Sequence, residues 1–125
     1  MELRSPKLAA TIRPGQFINI EVPGDARHLL RIPLSFASAN AEAGTVELIY
    51  AVVGEGTRRL SHMARGQTST AVGPGGNGWA CPEAGRTLLV AGGAGAPPVI
   101  AAAGMLAERG LRSSKIGRAS CRERV

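Results

Sequence analysis

Glycine and proline punctuate this chain so densely that most of it can fold only into short strands joined by tight turns. There are seventeen glycines and eight prolines among 125 residues, and each tends to end a strand or open a turn. Arg13-Pro14-Gly15-Gln16 is the first such signal. Proline presets φ and glycine accepts φ > 0. The run Phe17 to Val22 then alternates as a strand, with Ile18, Ile20 and Val22 toward the core, until Pro23-Gly24-Asp25. Leu34 to Ser38 predicts a second short strand. Asn40 to Gly44 predicts a polar turn, and with it a hairpin with a five-residue loop. Thr45 to Val53 is the clearest strand, with Val46, Leu48, Tyr50 and Val52 on one face and β-branched residues throughout.

Gly54-Glu55-Gly56 ends that strand, and Thr57 is a suitable N-cap for a short helix through about Met63. Thr68 to Val72 predicts another strand, and Gly73 to Gly78 a loop. The pattern changes near Arg86. Thr87 to Val90 predicts a buried parallel strand. Gly92-Gly93-Ala94-Gly95 turns the chain, and Ala96 to Gly110 predicts a helix with Val99, Ala103 and Leu106 at helical spacing. The fold class expected is therefore mainly β: an antiparallel Greek-key barrel over 1–84, then the first β–α unit of an α/β domain over 85–112. Met1 to Ser5 begins in mid-pattern, which suggests that the barrel's first strand is missing.

The formal charge of +6 sits mostly in the tail. Residues 1–110 hold ten Lys and Arg against eight Asp and Glu, a balance of +2, leaving +4 for the last fifteen residues. A basic tail on a nearly neutral body, with few aromatics, argues against nucleic-acid binding. Ile116 to Val125 resembles the in-frame translation of a common sequencing adapter. The expectation for 113–125 is a disordered artefact, with the natural chain continuing beyond about Ser114. There is no signal peptide and no apolar run long enough to span a bilayer, so a cytoplasmic protein without membrane association is expected. Cys81 and Cys121 lack metal-ligand spacing.

No acid–base constellation stands out, and His28 and His62 are isolated. The two glycine turns are the informative features. Gly54-Glu55-Gly56-Thr57 feeds a helix N-terminus, where free N–H groups suit a pyrophosphate. A plain capped turn fits the same residues. Gly92-Gly93-Ala94-Gly95-Ala96-Pro97 also opens a helix and could let a dinucleotide approach the backbone, although Pro97 and Pro98 depart from a G-x-G-x-x-G pattern.

Taken together, five segments resemble the ferredoxin–NADP reductase superfamily, and within it the electron-transfer subunits of dihydroorotate dehydrogenases. They are Arg13 to Phe17, Leu30 to Phe36, Leu48 to Thr57, Gly73 to Trp79 and Leu89 to Pro98. The resemblance covers about residues 1–112. It implies that Ile32, Pro33, Leu34 and Ser35 line FAD, and that Ile49, Tyr50 and Ala51 lie along the flavin. It further implies that Gly56 and Thr57 hold the pyrophosphate, and that Gly92, Gly93 and Gly95 face NAD. It also implies a cofactor contact for Arg31, which stands one residue off the family's place. The family's arginine directly precedes the proline, a place held here by Ile32, and a one-residue shift in an extended segment points to the other face. The implied role is electron relay from the FMN of a dihydroorotate dehydrogenase catalytic subunit, through a [2Fe-2S] cluster and FAD, to NAD in pyrimidine synthesis. The intact assembly would be a heterotetramer. The cluster cysteines would lie later in the chain, since neither Cys81 nor Cys121 matches them. A reductase subunit of a hydrogenase or sulfide dehydrogenase system, or a flavin-free interaction barrel, would share the same pattern.

Overall fold

A computed structural model describes residues 1–24 and 30–118. Asp25 at the end of the Pro23-Gly24-Asp25 turn, His28, and the tail from Ala119 with Cys121 lie outside the described residues.

The front half consists of two three-stranded antiparallel sheets around one core. In the first, β1 (Glu2–Arg4) and β4 (Ser38–Asn40) flank β5 (Thr45–Glu47). In the second, β3 (Ile32–Ser35) and β6 (Ala71–Gly75) flank β2 (Phe17–Ile20). The period-2 pattern sets which side faces in. Ile18 and Ile20 of β2 and Val46 and Leu48 around β5 are all at most 1% exposed. Full burial of each such aliphatic side chain contributes about 1.5–3 kcal/mol. The mainly β, antiparallel front expected from the sequence is observed.

The single strand expected over Leu34 to Ser38 is two strands in different sheets. Phe36 and Ala37, both buried, carry the chain around the corner between them. The hairpin from β4 to β5 turns through residues 41–44, one residue tighter than expected. The strand expected over Thr45 to Val53 is regular only to Glu47. Leu48 still exchanges two bonds with Met1, at 2.8 Å each, but no strand pairs with the residues beyond it among those described. There the inward alternation fades, and Val52 is 55% exposed.

Two further departures have local causes. Helix α1 (Pro6–Thr11) was not expected from the sequence. Proline is tolerated in its first turn, and Leu8, Ala9 and Ile12 bury against the core. Strand β6 runs through Gly73-Pro74-Gly75, read from sequence as loop. A register shift in its pairing with β2 accommodates these residues, and the Phe17 ring occupies the space a side chain at 75 would need.

The second unit comprises β7 (Arg86–Gly92), a 3-10 turn at Gly93–Gly95, helix α3 (Ala96–Glu108) and β8 (Arg112–Arg118). Strands β7 and β8 are parallel, so the unit is a β–α–β crossover. The disorder expected from residue 113 is corrected over 113–118, where the backbone pairs in register with β7 from Thr87↔Ser113 to Gly92↔Arg118. Short polar and β-compatible residues there meet an otherwise unpaired parallel edge. Helix α3 buries Pro97, Ala101, Ala102, Ala103 and Leu106, on more than one face. That fits a helix held between the front sheets and β7.

Candidate functional site

The turn after β5 is built by Thr57. Helix α2 (Glu55–Ser61) begins at Gly54, so Gly54 is the N-cap and Thr57 the third helical residue. This corrects the expectation that Thr57 caps the helix. Its hydroxyl reaches back instead. It accepts the Val53 N–H at 3.0 Å and the Gly54 N–H at 3.1 Å, and donates to the Gly54 carbonyl at 3.1 Å. Thr57 is 8% exposed, so this hydroxyl is fully used in shaping the turn. The first helical bond runs from the Arg58 N–H to the Gly54 carbonyl. The N–H groups of Glu55, Gly56 and Thr57 precede it, and no side chain caps the helix. The turn can therefore offer backbone donors to an anion, whereas the Thr57 oxygen cannot.

Charge near this turn is already paired. Arg58 grips Glu55 through Nε and Nη2 at 2.8–3.0 Å, and Arg59 Nε meets the same carboxylate at 2.9 Å. These hydrogen bonds, that of Arg58 first, hold the Glu55 carboxyl below the usual carboxylate range. The spacing i, i+3, i+4 was visible in the sequence, but only the helix start at Glu55 makes it a cluster.

Tyr50 and Leu34 pack against one core cluster. Thus one residue from each expected flavin-lining segment meets on the same core. Beside Tyr50 lies a groove of about 460 Å³, lined by Ile49, Val52, Leu60, Met63 and Met1 among others. Burial pushes the Tyr50 phenol up, so it stays protonated. Ile32 and Ser35 are half-buried, while Pro33 and Ala51 are exposed. Among the described residues strand β3 has only β2 as neighbour, with Pro33 opposite Asn19. An edge strand is where proline's missing N–H costs least.

Arg31 lies away from this turn's hydrogen bonds. Its Nη1 donates to the Thr70 carbonyl at 2.8 Å and to the Thr70 hydroxyl at 2.7 Å, and its Nη2 lies 3.7 Å from Glu21. Thr70 also bonds Glu21. This network ties the entry of β3 to β6.

Gly92, Gly93 and Gly95 form the second turn, at the end of β7. A Cβ at any of them would meet nothing within 4 Å. Only Gly93, with φ +51°, needs glycine for its backbone. The others leave open space that the chain's own packing does not demand. Ala96 N–H is bonded to the Gly93 carbonyl, and Pro97 and Pro98 have no N–H. This helix start is poorer in donors than that of α2.

Sequence reasoning missed Gln16, which is 7% exposed. Its Oε1 accepts the Arg13 N–H at 2.8 Å and its Nε2 donates to the Gly76 carbonyl at 2.9 Å. It locks the loop before Trp79 onto the first turn. No described group of His, Cys, Asp or Glu could hold a metal ion. Among the described residues no helix is long and apolar enough to cross a membrane.

The chain is 39% identical over 109 residues to the electron transfer subunit of dihydroorotate dehydrogenase B (NAD(+)) from Streptococcus pneumoniae, covering 85% of this chain and 42% of the relative. It is 40% identical over 103 residues to the subunit of the same name from Bacillus caldolyticus, covering 80% of this chain and 40% of the relative. The resemblance read from the motifs is borne out. The chain spans about two fifths of the length of these curated relatives. Among solved structures, an NADH-dependent reduced ferredoxin–NADP oxidoreductase studied for flavin-based electron bifurcation superposes with a TM-score of 0.85 at 32% identity, over 97% of this chain and 43% of that one. A cytochrome P450 reductase of Amycolatopsis superposes with a TM-score of 0.64 at 25% identity, over 87% of this chain and 35% of that one. No family model matches the chain.

Proposed function

We propose that this chain is the FAD-binding front of an electron-transfer flavoprotein subunit that serves a dihydroorotate dehydrogenase catalytic subunit and exchanges electrons with NAD. The observation that carries the proposal is the Gly54–Thr57 turn. Its hydroxyl is spent on shape and its leading N–H groups precede the first helical bond, while the groove that holds Tyr50 is lined by Val52 just before the turn and by Leu60 on the helix it opens. A pyrophosphate needs such neutral donors in a fixed arc.

The residues present fit FAD. Gly56 and Thr57 would meet the pyrophosphate through backbone N–H groups. Ile49, Tyr50 and Ala51 would lie along the ring system, and Ile32, Pro33, Leu34 and Ser35 would line it from β3. Arg31 would act at one remove, by fixing the start of β3 through Thr70. Gly92, Gly93 and Gly95 would face the nicotinamide nucleotide, where open space permits backbone approach. Bound in this way, FAD would supply the step between one-electron and two-electron carriers. A [2Fe-2S] cluster would need cysteines from outside this chain, and a heterotetramer with the FMN-bearing catalytic subunit would complete the relay.

The likeness at a TM-score of 0.85 to a ferredoxin–NADP oxidoreductase favours one second reading, a reductase subunit of another electron-transfer system. Purification with FAD should give a flavin absorbance band near ~450 nm. Dihydroorotate oxidation coupled to NAD should appear only when the catalytic subunit is added. A colourless protein that takes up no FAD would remove the flavin reading. FAD uptake without coupled activity would favour the second reading.

A further inference from the structure

The front sheets and the β–α–β unit share one buried cluster, which α3 enters through Ala101. Ala101 of α3 is 7% exposed and lies in the same cluster as Ile18, Phe36, Val46 and Leu48 of the front. Helix α3 packs on β4 as well as on β7 and β8. Leu34 of β3 and Tyr50, in the segment after β5, pack against that cluster. One core therefore touches the segments proposed to line FAD and the helix that follows the second glycine turn. Ala101 lies five residues into α3, roughly 7.5 Å along the helix from its start. Any displacement of α3 at Ala101 moves the Gly93–Gly95 turn with it.

Resting on the flavin reading above, we propose that Ala101 is a positioning residue that sets where the nucleotide turn stands relative to the flavin strands. Its methyl group lets the helix approach the front closely, and a larger side chain would wedge it away. Gly104, on the same helix, is exposed and has open space where a Cβ would go. It is the matched control.

Trp79, the only tryptophan in the chain, is a built-in reporter. Its N–H donates to the Pro14 carbonyl at 2.8 Å, and its indole crowds Gly15. The ring also lines a groove of about 350 Å³ with Val99, Ala102 and Met105 of α3. It is pinned to the front and senses the helix.

The test compares Ala101→Leu, Ala101→Gly and Gly104→Leu in the whole chain, with FAD added. Trp79 emission, amide hydrogen exchange and flavin absorbance are measured on each. Ala101→Leu should shift Trp79 emission and raise α3 exchange on the order of 100-fold, while β2 and β5 stay protected and FAD uptake is unchanged. Ala101→Gly and Gly104→Leu should keep wild-type emission. Wild-type emission and exchange in Ala101→Leu would overturn the proposal. So would the same shift in Gly104→Leu. Loss of protection in β2 and β5 together with α3 would overturn it too, because Ala101 would then support the front rather than place the helix. If wild type takes up no FAD while the emission and exchange results hold, the flavin reading fails and the placement of α3 stands.

Discussion

Replacing Thr57 by valine removes a hydroxyl while keeping side-chain volume and β-branching, so helix propensity and packing change little. Three hydrogen bonds are lost, two accepted from Val53 and Gly54 and one donated to the Gly54 carbonyl. At about 1 kcal/mol each the ceiling is about 3 kcal/mol. Val53 is 84% exposed and Gly54 is also exposed, so their freed N–H groups recover water. The expected loss is then about 1–2 kcal/mol, a fall in melting temperature of roughly 4–8 °C for a chain of this size. Bound FAD would need the same turn shape. The cost of restoring it should weaken FAD binding by about 5- to 30-fold. Urea denaturation followed by Trp79 emission gives the first quantity, and quenching of FAD fluorescence the second. Thr57→Ser keeps the hydroxyl and should retain most of both. Stability of Thr57→Val within about 0.5 kcal/mol of wild type, or serine as damaging as valine, would refute the reasoning.

Gln16→Leu should cost about 1–3 kcal/mol, because it removes two part-buried hydrogen bonds, to the Arg13 N–H and the Gly76 carbonyl. Chemical denaturation measures this, and a loss under about 1 kcal/mol would mean that water replaces the amide. Glu55 has a folded pKa below its ordinary 4.5. Its contribution is therefore present above the unfolded value and is lost as pH falls below 4.5 toward the lower folded value. The gap in urea midpoint between wild type and Glu55→Gln should be largest near neutral pH and close on acidification. A gap that does not depend on pH would contradict this.

The parts legible in the sequence were those set by local periodicity and by backbone-dictated glycine. The alternation of Ile18 and Ile20, and of Val46 and Leu48, survived folding because Ile18, Val46 and Leu48 share one core cluster and Ile20 is buried as well. Gly93 could be read as a turn residue because its φ of +51° admits little else. What could not be read depends on contacts distant in sequence. The bend at Phe36–Ala37 follows from which sheet each neighbour joins. The strand character of Gly73 to Gly75 depends on Phe17. Helix α1 has only six residues, too few to hold by propensity alone despite Lys7, Leu8, Ala9 and Ala10, so it owes its form to burial of Leu8, Ala9 and Ile12. At the candidate site, spacing located Gly54 to Thr57. It could not show that the Thr57 hydroxyl points back into the turn, or that Arg31 is held by Thr70.

Among the described residues, Arg31 is engaged by Thr70 and Glu21, and Arg58 and Arg59 by Glu55. A pyrophosphate at the Gly54–Thr57 turn would therefore meet mainly neutral N–H donors. Screening by salt acts on full charges far more than on short hydrogen bonds to amides. FAD affinity should then fall by less than about 3-fold between roughly 0.05 and 0.5 M NaCl. Glu55→Gln releases the Arg58 guanidinium beside the turn. That variant should bind FAD more tightly and show a steeper salt dependence, because a full positive charge becomes available to the phosphates. Fluorescence titrations of both proteins across the salt series decide the matter. A loss of about tenfold or more in wild type would show that an arginine leaves its carboxylate for the flavin, and that the pairing around Glu55 is a state of the free protein alone.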